Sequence, residues 1–240
     1  MTPPENHEIS PSLCWHCHTQ LESPYKCDHC VKIQPWPDGA DQFAFLGLPR
    51  RLQIDPEELE ERFLRLSRIF HPDFFQDSAD EEQEISLINA ARLNKAYNTL
   101  KDPASRAGYI LELELGSKYK PTKTVPPDLA VEIMELQDAL AEYAAADNDC
   151  PTHAEAVLEL QRQQSALQQR YQQNLGDLDL FFAQYDKLMD EAISPFEPDV
   201  RAKKEKILGR IDQTLATRLY LKRALDNLTG ALEGQDVNPL

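Results

Sequence analysis

Two groups of residues in this chain have types and spacings that could do chemistry. Cys14-Trp15-His16-Cys17 and Cys27-Asp28-His29-Cys30 form C-x2-C, nine residues, C-x2-C. Each pair can present two thiolates to one cation, and closing both knuckles on it gives a tetrahedral S4 site. Such a site holds together a short segment that has no core of its own. Zinc is the first expectation, and iron in a rubredoxin-like site stays open, since ligand type alone does not separate the two. Four cysteines fill a tetrahedron, so the expected role of Cys14, Cys17, Cys27 and Cys30 is structural. His16, His18 and His29 are expected to be solvated or to support the ligands from outside. Cys150 stands alone and takes no role. The second group is His71-Pro72-Asp73, a polar tripeptide placed where a helical pattern stops.

The elements that must position these groups can be read from punctuation and period. Residues 1–40 are polar, broken by prolines and without helical period, and end in Pro35-Trp36-Pro37-Asp38-Gly39. From Asp41 the pattern becomes helical. Asp55-Pro56-Glu57-Glu58 is a helix start, with Asp as cap and Pro in the first turn. Leu59, Phe63, Leu66 and Phe70 then follow on one face, and Pro72 stops the helix. Ala90, Leu93, Tyr97 and Leu100 form a second stripe that ends at Lys101-Asp102-Pro103. The expected result is a helical hairpin with a polar loop, His71 to about Asp80, at its tip.

After the stiff spacer Lys120 to Pro127, helices are expected at about 128–146, 152–175, 177–193 and 199–232. The breaks are placed at Asp147 to Pro151, at Gly176 and at Pro195 to Pro198. The fold class is therefore all-α: a helical hairpin plus a C-terminal helical bundle, preceded by a small tetracysteine module. Three parts are expected, at 1–40, 41–120 and 121–240.

Composition narrows the function. The chain has 240 residues, 41% of them hydrophobic, and only 8 glycines. Its formal net charge of −16 repels nucleic acid and anionic membranes, so neither is an expected partner. No window approaches the roughly 20 apolar residues of a membrane span. The first residues show neither a secretory nor a transit pattern, which makes the cytoplasm the expected compartment. No nucleophile–base pair, phosphate loop or carboxylate pair stands out, and an enzyme is not expected.

Phe45-Leu46-Gly47-Leu48-Pro49, Arg62-Phe63, His71-Pro72-Asp73, Leu93 to Leu100, Asp102-Pro103, Arg106-Ala107 and Tyr109 together resemble a J domain. More narrowly, the chain is similar to the HscB family, the J-type co-chaperones of iron–sulfur cluster assembly. The similarity extends to the cysteine module in front and, more loosely, to the region beyond 127. It implies that His71, Pro72 and Asp73 stimulate ATP hydrolysis by a DnaK/HscA-type chaperone. It further implies that Arg62, Arg65 and Arg68 dock on that chaperone's acidic face. Ile133, Leu136 and Leu140 can serve a bundle core. The flank formed by Val131, Met134, Glu135, Asp138 and Glu142, with Tyr220 from the last helix, is implied to hold the iron–sulfur cluster scaffold protein. Phe74-Phe75 departs from the family pattern, which more often has a basic residue after the Asp. Two alternatives stand beside this adaptor reading. One is a J protein serving a different client, with the bundle as client surface or dimer element. The other makes the cysteine module the active part, as a nucleic-acid binder or redox thiol site; only Lys26 and Lys32 lie near the knuckles to support the former.

Overall fold

The computed structural model describes residues 13–37, 39–121, 126–127, 129–146, 151–192 and 197–233. Cys150 and most of the spacer between Pro121 and Pro126 lie outside the described residues. The described chain is all-α, with two isolated β-bridges and no strand. Its helices are α1 (Gln42–Leu46), α2 (Pro56–Phe70), α3 (Asp80–Lys101), α4 (Pro103–Leu115), α5 (Ala130–Ala145), α6 (Pro151–Glu191) and α7 (Pro198–Leu232). Two compact units divide it, Met1–Ile110 and Leu111–Leu240, with the boundary inside α4.

In the first unit, local chemistry sets the helix ends. Asp41 caps α1 by accepting from the Ala44 N–H at 2.8 Å, and Gly47 closes it in the left-handed region at φ 69°. A Cβ on Gly47 would lie 2.8 Å from the Arg62 guanidinium, which would have to shift, and the left-handed backbone there would strain any side-chain-bearing residue. Asp55 caps α2 through the Glu57 N–H at 2.9 Å, and Pro56 opens the helix. Leu59, Leu66 and Phe70 are buried, while Phe63 is half-buried and stacks on Tyr97 with centroids 4.2 Å apart. The buried stripe of α3 runs Glu82, Ser86, Asn89, Leu93, Ala96 and Leu100. Its apolar half packs on α2. Its polar half faces the cysteine segment, which sits within this same unit.

The second unit is built on one long antiparallel pair, α6 of 41 residues and α7 of 35. Paired contacts fix the direction: Gln164 with Thr229, Tyr171 with Arg218, and Asn174 with Thr214. Gly176 does not break the helix, contrary to the expectation from sequence. An interior glycine costs a helix only about 1 kcal/mol relative to alanine. Here Leu160, Leu167, Leu178, Phe182 and Tyr185 keep a buried stripe running through it. The α5 helix packs against this pair through Leu136, alongside Leu129, Leu160, Leu167, Tyr220, Leu221, Ala224 and Leu228. A salt bridge from Glu132 to Arg170 ties α5 to α6. At the other end, Glu114 at the close of α4 accepts from Tyr185 at 3.0 Å and from Lys204 at 2.6 Å.

Candidate functional sites: a cysteine knuckle centre and a His-Pro-Asp turn

The cysteine module is the same turn made twice, thirteen residues apart. The His18 N–H donates to the Cys14 carbonyl at 3.0 Å, and the Val31 N–H donates to the Cys27 carbonyl at 2.9 Å. The Cys14 N–H donates to the Thr19 carbonyl and the Cys27 N–H to that of Lys32, each at 2.9 Å. Bridges from Leu13 to Gln20 and from Lys26 to Ile33 close the two loops. His18 (φ 58°) and Val31 (φ 64°) both lie in the left-handed region, one residue after the second cysteine of each knuckle. A β-branched residue adopts that conformation only where its surroundings impose it.

These turns converge four sulfurs. All four Sγ atoms lie within 4.8 Å of one another, with Cys14 and Cys30 at 3.5 Å and Cys17 and Cys27 at 3.7 Å. A tetrahedron with metal–sulfur bonds of about 2.3 Å has edges of about 3.8 Å. Disulfide sulfurs would lie about 2.0 Å apart, so the four cysteines are free thiols in a cluster that could hold a metal ion. Thr19, through its side chain and its backbone N–H, holds the Cys17 thiol down at about 5. The Lys32 N–H pulls Cys30 down too, but burial and the neighbouring thiols outweigh it and push Cys30 up to about 12. Four thiolates held this close would repel one another unless a cation lay among them.

A chain of polar contacts joins this centre to the hairpin. Gln34, buried, donates from Nε2 to Cys14 Sγ at 3.4 Å and to the Lys32 carbonyl at 2.8 Å. Its own carbonyl accepts from Asn89 Nδ2 at 2.8 Å, and Asn89 Oδ1 accepts from the Trp36 N–H at 3.2 Å. Lys32 pairs with the buried Glu82 at 2.5 Å. Tyr25 donates to the Phe45 carbonyl at 2.9 Å. Sequence reasoning missed Gln34, Glu82, Ser86 and Asn89. Their signal was present: three polar residues hold core positions of the α3 stripe, and buried polar groups occur where a partner waits.

The His-Pro-Asp segment lies at the tip of α2 and α3. It is a 3-10 turn, Pro72–Phe75, rather than an irregular loop. His71 caps it, its Nδ1 accepting from the Asp73 N–H at 3.3 Å, and the Phe74 N–H donates to the His71 carbonyl at 3.0 Å. The His71 and Asp73 side chains are 49% and 71% exposed, and Phe74 is 70% exposed. The turn is held from behind. Ser86 donates to the Phe70 carbonyl at 2.8 Å, and Gln83 donates to the carbonyls of Gln76 and Ser78.

Of the three arginines on α2, Arg65 and Arg68 are exposed. Arg62 is not available in the same way. Its guanidinium binds the carbonyls of Leu46 at 3.3 Å and Gly47 at 2.6 Å, and pairs with Glu58 at 2.7 Å. It closes the end of α1 while staying 27% exposed, so it carries a bracing contact beside the docking role expected of it. Val131, Met134, Glu135, Asp138 and Glu142 are all exposed on one face of α5. Tyr220 does not join them. It is 7% exposed, inside the core with Leu129, Leu136 and Ala224, because it shares the inward stripe of α7 with Leu221 and Leu228.

No family model matches the chain. Among curated proteins, it is 32% identical over 138 residues to the iron-sulfur cluster co-chaperone protein HscB of Mus musculus, covering 54% of this chain and 57% of that protein. It is 32% identical over 141 residues to the co-chaperone protein HscB homolog of Vibrio parahaemolyticus, covering 58% and 78%. The match spans just over half the length of the mouse, Arabidopsis thaliana and human relatives, at 57%, 51% and 57%. The crystal structure of human co-chaperone protein HscB superposes with a TM-score of 0.57 at 24% identity, covering 88% of this chain and 96% of that one. A helical hairpin tipped by His-Pro-Asp, joined in one chain to a helical bundle, is the architecture of a J-domain co-chaperone. Within that class, the chain belongs to the HscB family.

Proposed function

We propose that this chain stimulates ATP hydrolysis by a DnaK/HscA-type chaperone and delivers to it the scaffold protein on which iron–sulfur clusters are built. The observation that carries the reading is the exposed His71-Pro72-Asp73 turn, capped on itself and braced by Ser86 and Gln83. Such a turn presents an imidazole and a carboxylate at fixed separation. Stimulation requires that these groups bind the chaperone's hydrolysis-competent state better than its resting state. Arg65 and Arg68 supply charge for docking on an acidic face.

The flank Val131, Met134, Glu135, Asp138 and Glu142 is the surface proposed for the scaffold protein. Val131 and Met134 are each 65% exposed and give the apolar contact, with carboxylates around them. Binding both partners at once raises their effective concentration. Zinc is the ion proposed for Cys14, Cys17, Cys27 and Cys30, where it would supply structural cross-linking and no reactive position. The chain itself carries no chemistry in this reading and works in the cytoplasm.

The test is the steady-state ATPase of a partner chaperone with wild type and with His71→Gln. Wild type is expected to stimulate and the variant to lose stimulation, while circular dichroism shows an unchanged fold. Equal stimulation by the variant overturns the reading. A pull-down from a cluster-assembling extract checks the scaffold. Recovery of unfolded clients without the scaffold protein would move the function to a J protein for other clients.

A further inference from the structure

The far end of the α6–α7 pair carries charge of the wrong sign for its chain. Residues 201–210 hold five of the 25 lysines and arginines and one acidic residue, Glu205, on a molecule of net charge −16. Two of these cations are satisfied internally, Arg201 by Glu205 at 3.0 Å and Lys204 by Glu114 at 2.6 Å. Lys203, Lys206 and Arg210, whose guanidinium lies 5.7 Å over the Phe181 ring, stand at i, i+3 and i+7 on one exposed face of α7. Together with Lys187 of α6 they rim a groove of about 380 Å³ floored by the half-buried Leu188 and Ile207. Glu191 is the one carboxylate in its lining, and it reaches Lys187 only at 3.8 Å.

Ordinary causes do not account for this face. Cations complement a helix dipole at the C-terminus, whereas these sit in the first half of α7. Like charges three and four apart destabilise a helix, so Lys203 with Lys206 and Lys206 with Arg210 work against it. A merely solvated face on this chain mixes signs, as Arg162 and Glu159 do on α6.

We infer that this groove is an interaction surface for an acidic polypeptide segment that carries an apolar side chain. The cations meet its carboxylates, and Leu188 and Ile207 receive the apolar group. A nucleic acid fits less well. Its phosphates continue past the groove into the field of a strongly negative chain, and the floor offers aliphatic side chains where bases need aromatic platforms. A membrane is also disfavoured, because the apolar residues lie recessed between the helices. The inference stands independently of the chaperone reading.

The test uses the full chain and a short fluorescent peptide in which glutamates flank a leucine, followed by anisotropy. Wild type is expected to bind it with affinity that falls as salt rises. Lys203→Glu combined with Lys206→Glu should weaken binding about tenfold or more, without lowering the melting temperature. Replacing the peptide's glutamates by glutamine, or its leucine by serine, should weaken it as well. Reversing Arg65 and Arg68 instead should leave binding intact. Unchanged affinity in the Lys203/Lys206 variant overturns the proposal. So does indifference to the peptide's leucine, loss of binding in the Arg65/Arg68 variant, or tighter binding of single-stranded oligonucleotide or phosphatidylserine vesicles than of the peptide.

Discussion

Several single residues hold conformations or contacts that a neighbour of similar type could not. Val31 is the sharpest case, a β-branched residue at φ 64° whose side chain is 60% exposed and so contributes little packing. Holding an L-residue there costs about 1–2 kcal/mol, which glycine avoids while losing part of the gain to chain entropy. Val31→Gly is therefore expected to stabilise the first unit by about 1 kcal/mol, read as a higher urea midpoint at constant m-value. The arginines of α2 divide in the same way. Arg62→Met removes a charged donor from two carbonyls at the end of α1 and should cost about 1.5–3 kcal/mol. Arg65→Ala, on the exposed face, should change stability by no more than about 0.5 kcal/mol and instead reduce chaperone stimulation. Equal losses of stability in the two variants would remove the distinction between bracing and docking.

At the scale of elements, Gly176 gives a direct measurement of what the α6 stripe overrides. Nothing lies within 4 Å of a Cβ built there, and its φ is helical, so Gly176→Ala meets no obstacle. It is expected to stabilise the second unit by about 1 kcal/mol in thermal or chemical unfolding. The same residue shows where sequence was misleading. Glycine punctuates by local preference, but a helix of 41 residues is decided by its buried face, and that face continues on both sides. Where local chemistry and burial agree, as with Asp55, Pro56 and the stripe ending at Phe70, α2 was legible to the residue. The exposed flank of α5 was legible for the same reason, since helical period alone separates Met134 from Leu136. Tyr220 was not, because a tyrosine on a bundle helix suits core and surface alike, and its neighbours in space decide. The polar half of the α3 stripe could not be explained from sequence. Glu82 and Asn89 make sense only once Lys32, Gln34 and Trp36 lie across from them, and Ser86 once the Phe70 carbonyl does.

For the molecule as a whole, those contacts connect the cysteine centre to the His-Pro-Asp turn within the first unit. The path runs from Cys14 through Gln34 to Asn89 on α3, and from Ser86 on the same helix to the Phe70 carbonyl that precedes His71. An ion bound only by the folded module stabilises it by mass action, about 4 kcal/mol at a thousand times its dissociation constant. On the proposal that the four cysteines hold an ion, a chelator is expected to speed amide exchange in the knuckles and along residues 82–93 of α3, and to lower the melting temperature of the first unit. The core of α5, α6 and α7 is self-contained around Leu136, Leu160 and Leu221, and its exchange should not change. Asn89→Ala combined with Glu82→Ala removes both side-chain links from the knuckles to α3, so in that variant chelation should still loosen the knuckles while α3 exchanges at one rate with or without metal. Cys30→Ser should mimic chelation in the wild-type background. If α3 exchange ignores the chelator while the knuckles respond, the cysteine module is an independent fold attached to the hairpin, and the buried polar residues of α3 serve packing alone.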